Sequence, residues 1–158
     1  MARETTNTRS FPVRFWRLLP WASLVILTAS PSGAQETSRT AMIVSASSPI
    51  RDVARPDVVR IFMGQVTTWK DGTKIRPVDQ SMTSPVRKEF SREVLKQSLL
   101  VVDNYWKQQI FAGRAAPPVV RQTDAAVVEF VSATPGAIGY VSAGYNLPNG
   151  VRALTIRE

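Results

Sequence analysis

Ile61-Phe62-Met63-Gly64-Gln65-Val66-Thr67-Thr68-Trp69-Lys70-Asp71-Gly72 is the stretch on which the reading of this chain turns. Val58, Val59, Phe62 and Met63 fall at helical spacing, and Gly64 stands where a C-terminal helix cap belongs. A polar turn follows, then Trp69 and the Asp71-Gly72 turn signal. Downstream lies Pro135-Gly136-Ala137-Ile138-Gly139-Tyr140-Val141. Neither segment holds a nucleophile, a metal-ligand set or a proton-transfer pair, so both read as architecture. Trp69 is expected to pack its loop onto the helix that ends at Gly64, because a tryptophan carries a large apolar area. Gly136 and Gly139 are expected to permit a tight turn and close strand packing.

Outward from these segments the chain of 158 residues has room for one domain. Residues 1–34 are expected to stand apart as a signal peptide. Arg3, Arg9, Arg14 and Arg17 form a basic start, Leu18 to Ala29 a short apolar run, and Ser30 to Ala34 a small-residue cleavage region. The alternative is an uncleaved membrane anchor, although the run falls short of the ~20 residues a spanning helix needs. The expected domain is residues 35–158, free in the periplasm.

The chain has no cysteine and no histidine. Disulfides, thiol chemistry, a lipid-modified cysteine, the usual zinc sites and histidine-based triads are thereby removed. No metal and no cofactor is expected. Asp71 and Asp79 do not make a convincing acid–base couple, and an enzyme is the weakest class. Without the leader's four arginines and Glu4, 16 basic and 11 acidic residues remain, a net +5. That balance suits an anionic ligand, an anionic lipid surface or an acidic partner, and equally a solvated surface with surplus arginine. No basic run is interleaved with aromatics, so nucleic acid is not expected.

The remaining elements follow from local signals. Ala41 to Ala46 reads as a strand, and Ile75 to Asp79 as a short strand near a sheet edge because Pro77 lacks an N–H. Ser84 and Pro85 open a helix as N-cap and first helical residue, with Val86, Phe90, Val94 and Leu95 on its apolar face. A helix from Ser98 to Phe111 places Leu99, Val102, Trp106 and Ile110 on one face. Pro117 to Arg121 returns to the sheet, Thr123 and Asp124 start a further helix to Ala133, and Ala137 to Val141 and Val151 to Ile156 read as strands. Alternating strands and helices predict an α/β fold with a mixed, mainly parallel sheet flanked by helices.

In this order the segments resemble the substrate-binding protein of bacterial phosphate ABC transporters, and more narrowly its short phosphate-binding-protein-like relatives. The matching parts are Met42 to Ile50, Ile61 to Trp69, Pro135 to Val141 and Val151 to Ile156. The resemblance covers roughly residues 41 to 157. It implies a single lobe of a type II periplasmic-binding-protein fold, without the companion lobe that would carry the family's first phosphate-contacting loop.

The resemblance also implies a ligand site. The family's Ser-Gly-Thr-Arg-x-x-Phe helix start corresponds to Ser84-Pro85-Val86-Arg87-Lys88-Glu89-Phe90. Ser84, Arg87 and Phe90 match, whereas Pro85 removes a backbone donor and Val86 a hydroxyl. Ser84 and Arg87 are the candidate ligand-binding residues, with Ser81 and Thr83 as further hydroxyls. The implied ligand is phosphate or a similar anion, held weakly, and the implied partners are an inner-membrane permease or a second protein chain. The alternative is an interaction or regulatory module that keeps the lobe and binds no ligand. On that alternative Ser84 is simply an N-cap, and Arg87 pairs with solvent or a nearby carboxylate.

Overall fold

Continuous apolar runs such as Met42-Ile43-Val44 suit a sheet covered on both faces, and the computed structural model, which describes residues 39–158, shows one. The expected leader lies outside the described residues. The elements in chain order are β1 (Thr40–Ser45), β2 (Asp52–Ala54), α1 (Arg55–Phe62), β3 (Arg76–Gln80) and α2 (Pro85–Glu93). They continue with α3 (Leu99–Phe111), β4 (Val119–Arg121), α4 (Asp124–Ala133), β5 (Ala137–Ser142) and β6 (Val151–Arg157).

The six strands lie in the order β2-β6-β1-β5-β3-β4. The pairs β2–β6, β3–β5 and β3–β4 are parallel, while β1 runs antiparallel to both β5 and β6. The sheet is thus mixed and mainly parallel, as expected, with its antiparallel pairings concentrated at β1.

Successive strand residues point to opposite faces, and the core divides accordingly. Met42, Val44, Ile138 and Tyr140 join Val58, Phe62, Phe90, Val94, Val102 and Trp106 from α1, α2 and α3. Ile43, Val78, Ala137 and Val141 join Val127, Val128 and Val131 of α4 on the other face. Phe90 stacks on Tyr140 with ring centroids 3.8 Å apart and planes 9° apart, and Phe62 meets Phe90 edge-on at 4.8 Å. Full burial of each such ring stabilises by roughly 1.5–3 kcal/mol.

The two architectural segments meet in space. Trp69 Nε1 donates to the carbonyl of Gly136 at 3.1 Å, and the half-buried indole packs against the first core cluster. Arg76 N–H donates to the same carbonyl at 3.1 Å. Gly136 has φ +74°, and a Cβ there would stand 2.2 Å from the Lys74 carbonyl oxygen. At Gly139 a Cβ would stand 2.7 Å from Val78 Cγ1 and 2.9 Å from Val127 Cγ1. Both glycines therefore allow the close approach expected of them.

β3 lies near the sheet edge as expected, one strand in from β4, and Pro77 is accommodated because pairing with β4 starts only at Val78. Two details differ. Ile110, expected on the inner face of α3, is 55 % exposed, whereas Val102 and Trp106 are buried. β2 was not foreseen: three residues ending at a helix start give too short a pattern to be read as a strand.

Candidate functional site

The parallel strands β3, β4 and β5 bring their carboxyl ends to one side of the sheet, the position at which open α/β sheets take ligands. β3 leads through Ser81-Met82-Thr83 into α2, and β4 leads through Thr123 into α4. The α4 N-terminus is satisfied within the chain: Thr123 accepts from Ala126 N–H at 3.2 Å, and Asp124 supplies an acid in the first turn. The α2 N-terminus has no first-turn acid and begins with Pro85. Its cap is Ser84 Oγ, which accepts from Arg87 N–H at 3.3 Å and donates to Gln80 Oε1 at 2.7 Å.

A buried polar network joins these strand ends. Arg87 and Asp79, 4 % and 5 % exposed, form an ion pair. Asp79 Oδ1 accepts from the Tyr140 hydroxyl and from Gln80 N–H, the latter at 2.8 Å. Gln80 Nε2 donates to Asp124 Oδ1 at 2.7 Å and to the Tyr140 carbonyl at 3.2 Å. Ser142 N–H donates to Asp124 Oδ2 at 3.2 Å. Burial pushes the Tyr140 phenol up to about 12, against the pull of the Arg87 charge. Tyr140 is thus a neutral donor to Asp79 at ordinary pH. Burial also lowers the Arg87 guanidinium from the ordinary arginine value, while the negative charge of Asp103 acts the other way.

Beside this network a cleft of about 380 Å3 opens between the end of β3, α3 and the approach to β4. Asp79, Ser81, Arg87, Asp103, Trp106 and Lys107 supply its polar and indole groups. Two of the lining residues carry a buried donor, Arg87 Nε and Trp106 Nε1, that has no acceptor among the described residues. Such groups are costly to leave unpaired, by about 1–3 kcal/mol each. Lys107 Nζ is 2.6 Å from Asp103 Oδ2. Each of the two cations therefore has a carboxylate partner, and the cleft is close to charge-balanced.

The four candidate ligand residues divide. Ser81 and Arg87 line the cleft. Thr83 stands exposed beside it, its hydroxyl 3.0 Å from that of Ser81. Ser84 is turned inward, committed to the helix cap and Gln80. Trp106, Asp103 and Lys107 also line the cleft and were not read as site residues. Their helical spacing could mark a shared face, but not that this face meets the end of β3. A larger groove of about 560 Å3 runs along the α2–α3 turn, lined by Lys88, Arg92, Lys96 and Leu100 among others. Arg92 is there paired with Glu89 and Glu93, and no buried network reaches it. Among the described residues no group of carboxylates could hold a metal ion, and no helix is long and apolar enough to cross a membrane.

Comparison with known proteins agrees with this architecture. The model of the PBP superfamily domain matches residues 37–156, so the chain belongs to that superfamily. Its fold is similar to that of an ABC-type phosphate transport receptor from Vibrio cholerae, with a TM-score of 0.55 at 22 % identity. That match covers 74 % of this chain and 45 % of the receptor. It is similar also to PstS from Borrelia burgdorferi, with a TM-score of 0.59 at 17 % identity, over 76 % of this chain and 47 % of PstS. The chain thus accounts for less than half of either protein, as a single lobe would. No curated protein matches it in sequence.

Proposed function

We propose that this PBP-superfamily chain is an exported solute-binding-like protein that takes phosphate or a related oxyanion in the cleft at the end of β3. The observation that carries the reading is a pair of buried donors without acceptors, Arg87 Nε and Trp106 Nε1, on two residues that line one cleft beside an acid-free helix N-terminus. An oxyanion drawn in against these residues would supply the missing acceptors, and the Ser81 hydroxyl adds a further donor. Ser84 orients the α2 start and does not reach the cleft. The similarity to a phosphate transport receptor supports phosphate as the first ligand to try and ABC-type transport as the setting, with an inner-membrane permease as partner. Residues 1–34 as a cleaved signal peptide and residues 35–158 as the mature periplasmic domain complete the proposal.

Binding should be weak. A single wall leaves the anion facing water, and Asp79 and Asp103 offset the two cations. Calorimetric titration with phosphate tests the reading, and a Kd on the order of 1 mM is the expected result. No heat and no thermal shift at phosphate concentrations ~10-fold above that would overturn it.

One observation favours a second reading. The Arg87–Asp79 pair is closed within the protein, and Pro85 leaves α2 one N–H short. A ligand-free interaction module built on the same lobe has this form. It predicts that partner capture survives removal of the Ser81 and Thr83 hydroxyls.

A further inference from the structure

The outer face of α3 is arranged to fit a copy of itself. Leu100 in its first turn is 65 % exposed and Phe111 at its end is 95 % exposed. Between them lie the exposed polar residues Asn104, Lys107 and Gln108. Leu100, Asn104, Lys107 and Phe111 recur at three- and four-residue intervals and form one stripe. Asp103 stands at its flank, ion-paired with Lys107 at 2.6 Å. A monomer gains nothing from leaving a phenylalanine almost wholly in water, and this stripe carries one exposed apolar side chain at each end with polar residues between them.

Antiparallel pairing of two such helices puts the first turn of one against the last turn of the other. Leu100 and Phe111 have the same midpoint in the helix as Asp103 and Lys107, at Tyr105 to within about half a residue. One two-fold axis there sets Leu100 against Phe111 of the second copy and, at the same time, Asp103 against Lys107 of the second copy. A stripe carrying a single sign of charge, or one apolar end, would not satisfy both contacts. We propose that α3 is a self-docking surface through which two copies pair antiparallel about this axis, with apolar contacts at both ends and crossed Asp103–Lys107 pairs at the centre. The interface is isologous, as closed dimers require. Ile110 (55 % exposed) and Met82 (45 % exposed), on the cleft side, extend its apolar margin. The proposal does not rest on the cleft binding an anion, but the two surfaces share Asp103, Lys107, Ile110 and Met82.

Sedimentation equilibrium of the full chain tests it. One helix pair with apolar ends is a small interface, so a Kd on the order of 10–100 µM is expected. Lys107→Asp sets carboxylates against carboxylates and should weaken the dimer at least ~10-fold, with the double swap Asp103→Lys/Lys107→Asp restoring it. Phe111→Asp should leave a monomer with an unchanged circular-dichroism spectrum, since Phe111 contributes almost nothing to the core. A chain that is monomeric at ~1 mM overturns the proposal. So do a double swap no better than the single one and a dimer that persists in Phe111→Asp.

Discussion

Arg87 and Asp79 form an ion pair shut away from water at the wall of the cleft, 4 % and 5 % exposed. Removing the guanidinium strands a buried carboxylate, so Arg87→Met should destabilise the fold by about 3–5 kcal/mol. Replacing both partners, as Asp79→Leu/Arg87→Met, should return only part of that loss, because no charge is left unpaired but the buried Tyr140 hydroxyl loses its acceptor. Urea denaturation of the two single variants and the double variant measures the coupling. Equal stability of Arg87→Met and the parent would show that the pair contributes nothing.

Tyr140 links that pair to alkaline stability. Its phenol is raised to about 12 in the fold, while an unfolded tyrosine titrates near 10. The folded state therefore keeps the proton longer. The stabilisation is complete below about pH 10 and declines as pH rises towards 12. Unfolding midpoints should fall across that window, and Tyr140→Phe should flatten the decline while costing about 1–3 kcal/mol at neutral pH through the lost hydroxyl. A Tyr140→Phe profile with the parent's slope would place the pH dependence elsewhere.

The turn at Gly136 offers a backbone test. Gly136→Ala must hold φ +74° and bring a Cβ to within 2.2 Å of the Lys74 carbonyl oxygen, which is backbone and cannot swing aside. The left-handed conformation alone costs about 1–2 kcal/mol for an L-residue, and the contact adds to it. Trp69→Phe keeps the apolar bulk but loses the bond to the Gly136 carbonyl, a change of only ~0.5–1.5 kcal/mol. Thermal melts should rank Gly136→Ala as clearly the more damaging of the two.

Charge balance in the cleft gives a prediction of opposite sign to the usual loss of function. Asp103 lines the cleft and pairs with Lys107. Asp103→Asn removes a repelling carboxylate and frees the ammonium, so it should tighten phosphate binding several-fold, on the order of 1 kcal/mol. Ser81→Ala should weaken binding, whereas Ser84→Ala should act through the helix cap and cost ~1 kcal/mol of stability. Phosphate titrations paired with melts separate these outcomes. Tighter binding in Lys107→Ala than in Asp103→Asn would contradict the electrostatic account.

Much of the fold was legible because its signals are local. Ser84-Pro85, Ser98 and Thr123 announce three helix starts; the Ser84 hydroxyl caps its helix as expected, and those of Ser98 and Thr123 cap theirs as well. The apolar run through Met42, Ile43 and Val44 announces a strand, and the structure buries it on both faces. The site was less legible. Ser84 and Arg87 stand where a helix start places them, but whether a hydroxyl turns inward depends on Gln80, and whether a guanidinium is free depends on Asp79. Ile110 satisfies the periodicity of the inner face of α3 and is nonetheless exposed. Periodicity identifies a shared face; what covers the far end of that face is a matter of tertiary packing.

The position of β1 bears on how the chain reaches this state. The first strand is flanked by β5 and β6, the last two, and Met42 is in register with both Tyr140 and Leu154. A chain appearing N-terminus first has no partner for β1 until nearly all of it is present. Loops of about a hundred residues must close before the centre of the sheet exists, which places folding towards the slow end for mixed α/β domains. A partly synthesised chain thus lacks the centre of its sheet, which is complete only once β6 pairs with β1.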